Sequence, residues 1–333
     1  MRQMARTRCG AMTAALLTVA AAGSLMTGCS SGSSATDDGR APAPSFSQGQ
    51  ETGPAQSPSS TAGAGPVLAV KIDNVSAARP QTGLDAADVV YAEQVEGGLS
   101  RLMAIYASKL PTAVGPVRSA RESDLELLRQ FDKPTLAFSG AQHKLLPVIA
   151  KAPLHAVSAD QGSSAYYRSA SKIAPHNLFL HPKQLMSSAP GAAALTTGFH
   201  FGAAPAGGSP ETSRTVRFPA ARFTFAWSAS KHRWLVSMDG TPTVTTDGKR
   251  VAPATVVVQY VKVHNSKYHD VLGNNTPYTE TVGSGTAKVL RDGKVFDVDW
   301  KRPTAGDGTE FTTTDGAPMN FAKGQVWVVF AKA

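Results

Sequence analysis

Cysteine is nearly absent from the 333-residue sequence, which contains only Cys9 and Cys29. Aromatic residues make up 7% of the chain, so a large aromatic platform for stacking nucleobases is not expected. The 24 acidic residues are outnumbered by 33 basic ones, but this excess contains no run of Lys or Arg and no nucleic-acid-binding motif. We therefore predict no nucleic-acid partner. With 42% apolar and 17% charged residues, the composition excludes bulk disorder and allows a sizeable core.

Long apolar runs are scarce as well, and the most prominent one covers residues 11–27 without a charge. Three arginines precede this run, and it ends in Leu25-Met26-Thr27-Gly28-Cys29, where a small residue stands before a cysteine. This order resembles a bacterial lipobox, in which the thiol receives a diacylglycerol. We predict a lipoprotein signal peptide over residues 1–28 and lipidation of Cys29. The alternative is an ordinary secretory signal followed by a chance cysteine.

Cleavage before Cys29 leaves no free cysteine, which excludes a disulfide, a thiol nucleophile and a cysteine-containing metal site. The loss of three arginines lowers the formal net charge from +9 to +6. Residues 29–65 then comprise the lipidated cysteine and a tether dominated by small and polar residues, which we predict to be disordered. The predicted location is the cell membrane, with the chain lipid-anchored on the extracytoplasmic face.

Residues 66–212 contain both strand-like and helix-like sequence patterns and are predicted to form an N-terminal α/β domain. Short apolar runs rich in β-branched residues predict strands, and a 3.6-residue apolar period predicts helix. The predicted elements are strands over residues 67–72, 89–95, 102–107 and 136–138 and helices over residues 119–131 and 142–150. Glu96-Gly97-Gly98 predicts a hairpin turn between the second and third strands.

Residues 213–333 are predicted to form a mostly β C-terminal domain. Five Asp-Gly pairs occur beyond residue 238, and Arg291-Asp292-Gly293-Lys294 lies between two strand-like runs, a pattern typical of a tight hairpin. The predicted fold class is therefore α+β, an N-terminal mixed α/β domain followed by a mostly β domain.

Arg118 and Arg121 flank the predicted start of the helix, within the segment Gly115–Glu122. Free backbone N–H groups and two guanidinium forks favour an anion there, with Ser119 beside them. The alternative is structural: Glu122 caps the helix, and the arginines pair with nearby carboxylates. The candidate carboxylates are Glu93, Glu96 and Asp124.

A parallel pairing of the first and fourth strands would bring further polar residues to this place. Asp73 and Asn74 follow one strand and Ser139 follows the other, and ligands of α/β sheets bind beyond the carboxyl ends of strands. The alternative for Asp73-Asn74 is a simple Asx-type turn.

Glu96 and the pair His176-Asn177 complete the candidate site. Glu96 could act in acid–base chemistry, or it could pair with an arginine. His176 follows a proline within an apolar stretch and could face a pocket, although a lone histidine is more often a hydrogen-bonded structural group. The spacing of the histidines does not match a metal site, and no cofactor-binding motif occurs. We predict no metal and no cofactor.

Six motifs, in this order and spacing, resemble the YerB-like family of bacterial lipoproteins. They are Val70-Lys71-Ile72-Asp73-Asn74, Ala78-Arg79-Pro80-Gln81-Thr82-Gly83-Leu84, Ala87-Asp88-Val89-Val90-Tyr91, Val95-Glu96-Gly97-Gly98, Gly115-Pro116-Val117-Arg118-Ser119-Ala120-Arg121 and Ala174-Pro175-His176-Asn177-Leu178. The resemblance extends over roughly residues 66 to 333. It implies a lipid-anchored, two-domain extracytoplasmic protein, and it implies no particular reaction.

The sequence thus predicts a binding or interaction module for an anionic or polar envelope ligand, or for an envelope protein. One alternative is an envelope hydrolase or transferase that uses His176 or Glu96 with an Arg118/Arg121 anion clamp. Another is a structural assembly factor without a ligand. Whether the chain is an enzyme is left open.

Overall fold

The structure is a computed structural model that describes residues 65–270 and 272–333. The predicted signal peptide, Cys29 and the tether up to residue 64 lie outside the described residues. The N-terminal strands are β1 (Leu68–Asp73), β2 (Val89–Gln94), β3 (Ser100–Tyr106), β4 (Thr135–Phe138), β5 (His155–Ser158), β6 (Tyr166–Arg168) and β7 (Leu178–Leu180). The helices are α1 (Glu122–Leu128) and α2 (Leu146–Lys151).

The C-terminal part of the chain is built of strands and connecting turns. These strands are β8 (Ser209–Pro210), β9 (Ser213–Phe218), β10 (Ala221–Ser228), β11 (Arg233–Met238), β12 (Thr241–Pro242), β13 (Thr255–Val261), β14 (Val263–His269), β15 (Asn275–Thr279), β16 (Gly283–Arg291), β17 (Lys294–Arg302), β18 (Glu310–Thr313) and β19 (Val326–Lys332).

One mixed sheet runs through both parts of the chain, in the order β18-β17-β16-β13-β19-β2-β3-β1-β4-β5, with β8 added at β17. Strand β19 pairs in parallel with β13 on one side and with β2 on the other. The mostly β character predicted from sequence is confirmed. The mixed α/β character of the N-terminal part holds only loosely, because its α-helices have seven and six residues. The domain boundary at residue 212 stays a prediction.

A four-stranded sheet of order β12-β11-β10-β9 covers one face of the main sheet. Leu68, Val70 and Ile72 of β1 belong to the same buried cluster as the aromatic residues of this smaller sheet. Phe223 and Phe225 pack edge-on against Trp327 of β19, with ring centroids 6.2 and 6.0 Å apart. Burial on both faces explains why strands of the main sheet appear in the sequence as continuous apolar runs.

Helix α1 covers the other face of the main sheet. Leu127 and Leu128 of this helix are buried in one cluster with Ala69 of β1 and Tyr91 of β2. Because side chains alternate along a strand, Lys71 of β1 lies on the face of Ala69, towards α1. The same alternation carries Asp73 to this face at the carboxyl end of the strand.

Helix α1 begins three residues later than predicted. Residues 117–120 lie outside the helix, because Arg118 N donates to Lys71 O at 2.8 Å and Ala120 N donates to Gly140 O at 3.0 Å. Arg121 is the N-cap, and its backbone N–H donates to Asp124 Oδ2 at 2.6 Å. Asp124 therefore already accepts from one of the backbone donors at the start of the helix that could serve an anion.

The two turns predicted from local sequence are confirmed. Glu96–Gly98 forms a 3₁₀ turn between the antiparallel strands β2 and β3. Asp292 and Gly293, with φ of 52° and 73°, connect β16 and β17, as an Asp-Gly hairpin requires. The parallel pairing of β1 with β4 is also confirmed. Within residues 65–270 and 272–333, no helix is both long and apolar enough to cross a membrane.

Candidate functional site

The candidate site lies where several strands of the main sheet end. Asp73 closes β1 and is directly opposite Arg101 on β3, which is in turn opposite Glu93 on β2. Ser139 follows β4, the parallel neighbour of β1. The register therefore places a row of charged side chains at one edge of the sheet, as expected for sites beyond the carboxyl ends of strands.

Asp73 is the centre of a three-residue cluster. Its carboxylate is 2% exposed, and its Oδ2 lies 3.0 Å from Arg118 Nε and 2.8 Å from His176 Nδ1. The segment carrying Arg118 is held in place because Asp73 N donates to Pro116 O at 2.9 Å. Asp73, Arg118 and His176, which are far apart in sequence, thus meet as the sequence predicted.

The guanidinium group of Arg118 has unused hydrogen-bonding capacity. Its side chain is 25% exposed, and its Nε is buried without a well-aligned hydrogen-bond acceptor despite the proximity of Asp73. Among the described residues, no acceptor is bonded to its two terminal nitrogens. Because a guanidinium carries five N–H donors, Arg118 keeps most of them for a ligand or for solvent.

Arg121 is committed to a protein partner instead. Its Nε and Nη2 donate to the two carboxylate oxygens of Glu96 at 2.6 and 2.7 Å. Thr276 of β15 donates a further hydrogen bond to Glu96. Burial alone would raise the pKa of the Glu96 carboxyl, but Arg121 and Thr276 together hold that pKa below its usual value. Arg121 therefore pairs with a nearby carboxylate, as the structural alternative expects. Because the pKa of Glu96 is lowered, Glu96 is a poor general base.

Arg101 is a further cation of the site. Its Nη1 donates to Ser119 O at 3.1 Å, and none of the described carboxylates lies within 4.0 Å of it. Burial, reinforced by the neighbouring Arg121, lowers the pKa of Arg101 to about 10, which leaves it charged at neutral pH. Arg101 and Arg118 thus both retain N–H donors without a protein acceptor, whereas Arg121 is paired with Glu96.

A buried ion cluster below the site was missed in the sequence. Lys71 is fully buried and contacts both Glu93 and Asp124, the latter at 2.7 Å. Burial lowers the pKa of Lys71 to about 8, against the raising effect of Asp124. A lysine within an otherwise apolar strand was the available signal, because a buried ammonium requires carboxylate partners.

Two adjoining clefts open beside these residues. The first, about 520 Å³, contains Arg118, Ser119, Ser139 and Tyr167 in its wall. The second, about 570 Å³, contains Arg101, Arg118 and Ser119 together with the β14–β15 hairpin. Ser119 Oγ and Ser139 Oγ are 3.2 Å apart. Arg118 and Ser119 therefore form the partition between the two clefts.

Three of the predicted residues, Asn74, His176 and Asn177, do not line either cleft. Asn74 is buried, donates to Ser100 Oγ at 2.9 Å and accepts from Gln81 Nε2 at 3.0 Å, so it holds the loop after β1. Asn177 accepts from Arg168 Nη1 at 2.7 Å on the β6–β7 hairpin. Within the described ranges, no group of three His, Cys, Asp or Glu side chains is placed to hold a metal ion.

One mixed sheet runs through both parts of the chain, and two clefts with arginine in their walls lie at the ends of its strands. Residues 51–197 match the family description "Protein of unknown function (DUF3048) N-terminal domain", and residues 214–328 match its C-terminal domain. The chain belongs to this DUF3048 family. Its resemblance to the YerB-like lipoproteins, predicted from the sequence motifs, is confirmed.

A curated relative is "Putative lipoprotein YerB" of Bacillus subtilis (strain 168). It is 25% identical over 270 residues, which cover 78% of this chain and 80% of the relative. The crystal structure of YerB protein from Bacillus subtilis matches with a TM-score of 0.67 and 23% identity, over 80% of this chain and 91% of that one. This structural match establishes the shared fold.

Proposed function

We propose that this chain is a membrane-anchored extracytoplasmic lipoprotein that binds an anionic group, a phosphate or carboxylate, at the sheet-edge clefts. The anchoring is supported by the signal-peptide pattern ending at Cys29 and by the lipoprotein description of its Bacillus relative. The ligand is an anionic envelope component or the acidic group of an envelope protein.

The observation that supports binding is the surplus of donors at Arg101 and Arg118. Two carboxylates of the site are already paired, Asp73 with Arg118 and His176, and Glu96 with Arg121 and Thr276. The two guanidinium groups nevertheless keep N–H donors without a protein acceptor, and both line the second cleft. A phosphate or carboxylate satisfies such forks with two parallel hydrogen bonds.

The test is calorimetric titration of the full chain, held in phosphatidylcholine nanodiscs, with inorganic phosphate, muropeptides and anionic wall polymers. Binding is expected for the intact chain and is lost in the Arg101→Ala/Arg118→Ala variant. Arg129→Ala is the matched control, because Arg129 is exposed and makes no ion pair within the described residues. Equal affinity in all three proteins would contradict the proposal.

A hydrolase or transferase is the second candidate, and the contact between Asp73 and His176 favours it. A carboxylate on Nδ1 orients an imidazole so that its Nε2 can accept a proton. None of the described serine or threonine hydroxyls is hydrogen-bonded to His176, whereas nucleophilic catalysis requires such a neighbour. Turnover of a bound muropeptide that His176→Ala abolishes, with binding retained, would favour this candidate over simple binding.

A further inference from the structure

The second cleft has apolar side chains in its wall as well as arginines. Its apolar lining residues come from the loop after β1, the β2–β3 turn, the residue before α2 and the β14–β15 hairpin. They are Val75, Val95, Leu99, Leu145, Tyr268 and Leu272. Arg101 and Arg118 lie in the wall of the same cleft, so one cavity combines a cationic part with an apolar part.

Two leucines at the mouth of this cleft are strongly exposed. Leu99 is 38% exposed at the end of the β2–β3 turn, and Leu272 is 83% exposed in the β14–β15 turn. Turn positions usually carry Gly, Pro, Asn, Asp or Ser, so an exposed leucine in or beside each of two hairpin turns is unusual. Isolated exposed leucines are common, but here both line one cavity.

The mouth of the cleft has a defined structure, because the β2–β3 and β14–β15 hairpins are linked by hydrogen bonds. Thr276 of β15 donates to Glu96 in the β2–β3 turn, and Glu96 is held in turn by Arg121. Asp270 accepts hydrogen bonds from Leu272 N at 2.9 Å and Asn274 N at 2.8 Å, which fixes the turn that presents Leu272.

We infer that the ligand of the second cleft is an amphipathic anion, with one phosphate or carboxylate head at Arg101 and Arg118 and an alkyl or acyl chain against Leu99 and Leu272. This inference rests on the proposed anion site and adds the chemical class of the ligand. The carboxylates of Asp270 and Glu122 also line the cleft and disfavour a second negative charge. The head group is therefore singly charged or compact.

The experiment compares methyl phosphate with hexyl phosphate, and acetate with hexanoate, on the full chain in phosphatidylcholine nanodiscs, with empty nanodiscs subtracted. The hexyl ligand is expected to bind at least about tenfold more tightly than the methyl ligand, a gain that about two fully buried methylene groups supply. In the Leu99→Ser/Leu272→Ser variant this gain is expected to fall below about twofold, while the affinity for methyl phosphate is unchanged. Ile173→Ser is the matched control, because Ile173 is 78% exposed and lines neither cleft.

The outcomes separate this inference from the anion site on which it rests. Equal affinity for methyl and hexyl ligands, both lost in the Arg101→Ala/Arg118→Ala variant, would overturn the amphipathic ligand and keep the anion site. A chain-length gain that survives the double-leucine variant would also overturn it. Hexyl binding that persists without the two arginines, or no binding of any ligand, would overturn both.

Discussion

Replacing Arg121 by alanine tests whether this arginine supports the fold or holds a ligand. The change leaves the Glu96 carboxylate, 7% exposed, with Thr276 as its remaining side-chain partner. Removing one member of a buried ion pair costs about 3–5 kcal/mol, and we expect about 3 kcal/mol because Arg121 itself is partly exposed. For a protein of this size that loss lowers the melting temperature by about 6–12 °C.

The assay is urea unfolding followed by tryptophan fluorescence, since Trp234 and Trp327 are fully buried. Combining Arg121→Ala with Glu96→Gln removes the unpaired carboxylate charge and is expected to restore at least about 1 kcal/mol of the free energy of unfolding. The control Arg129→Ala, on the exposed side of the same helix region, is expected to change stability by less than about 0.5 kcal/mol.

The result that would refute this reasoning is specific. If Arg121→Ala is as stable as Arg129→Ala and yet binds phosphate more weakly, Arg121 holds the ligand and its fork on Glu96 is incidental. The division of roles between Arg118 and Arg121 would then be wrong.

Three further expectations concern the same region. Lys71→Met leaves the buried carboxylates of Glu93 and Asp124 without their cationic partner. The free energy of unfolding in urea is expected to fall by about 3–5 kcal/mol, and most of this loss is recovered when both acids are also changed to amides. Because Arg121 and Thr276 lower the pKa of Glu96, the stability from this pair is present above about pH 4.5 and is lost as the pH falls through the lowered value. Glu96→Gln should therefore flatten the acid limb of stability against pH, and an unchanged limb would contradict this. Asp270→Asn removes a carboxylate from the cleft and should tighten phosphate binding about two- to fivefold by calorimetry, whereas weaker binding would argue against an anion in that cleft.

The local part of the fold was predictable from sequence. Asp292-Gly293 adopts the positive φ angles that its hairpin needs, and apolar runs located β1, β2, β3 and the two strands joined by this hairpin. The meeting of Asp73 with Arg118 was also predictable, since it followed from a single parallel pairing of β1 with β4.

The non-local part was not predictable in the same way. Nothing in residues 326–332 indicates that β19 inserts between β13 and β2, because pairing partners are chosen by packing across hundreds of residues. The start of α1 was misplaced for a related reason: backbone bonds from Arg118 and Ala120 to distant segments outweigh a local capping pattern. Whether Arg118 or Arg121 keeps N–H donors for a ligand likewise depends on the position of Glu96 in the fold, which pairs with Arg121.

The position of β19 also constrains the order of assembly. A chain made from its N-terminus produces β2 and β13 long before it produces the strand that joins them. Until residues 326–332 emerge, each half of the sheet presents a bare edge on which another chain could pair. Synthesis therefore reaches the middle of the sheet last, and the nascent chain depends on rapid closure or on a chaperone to avoid aggregation.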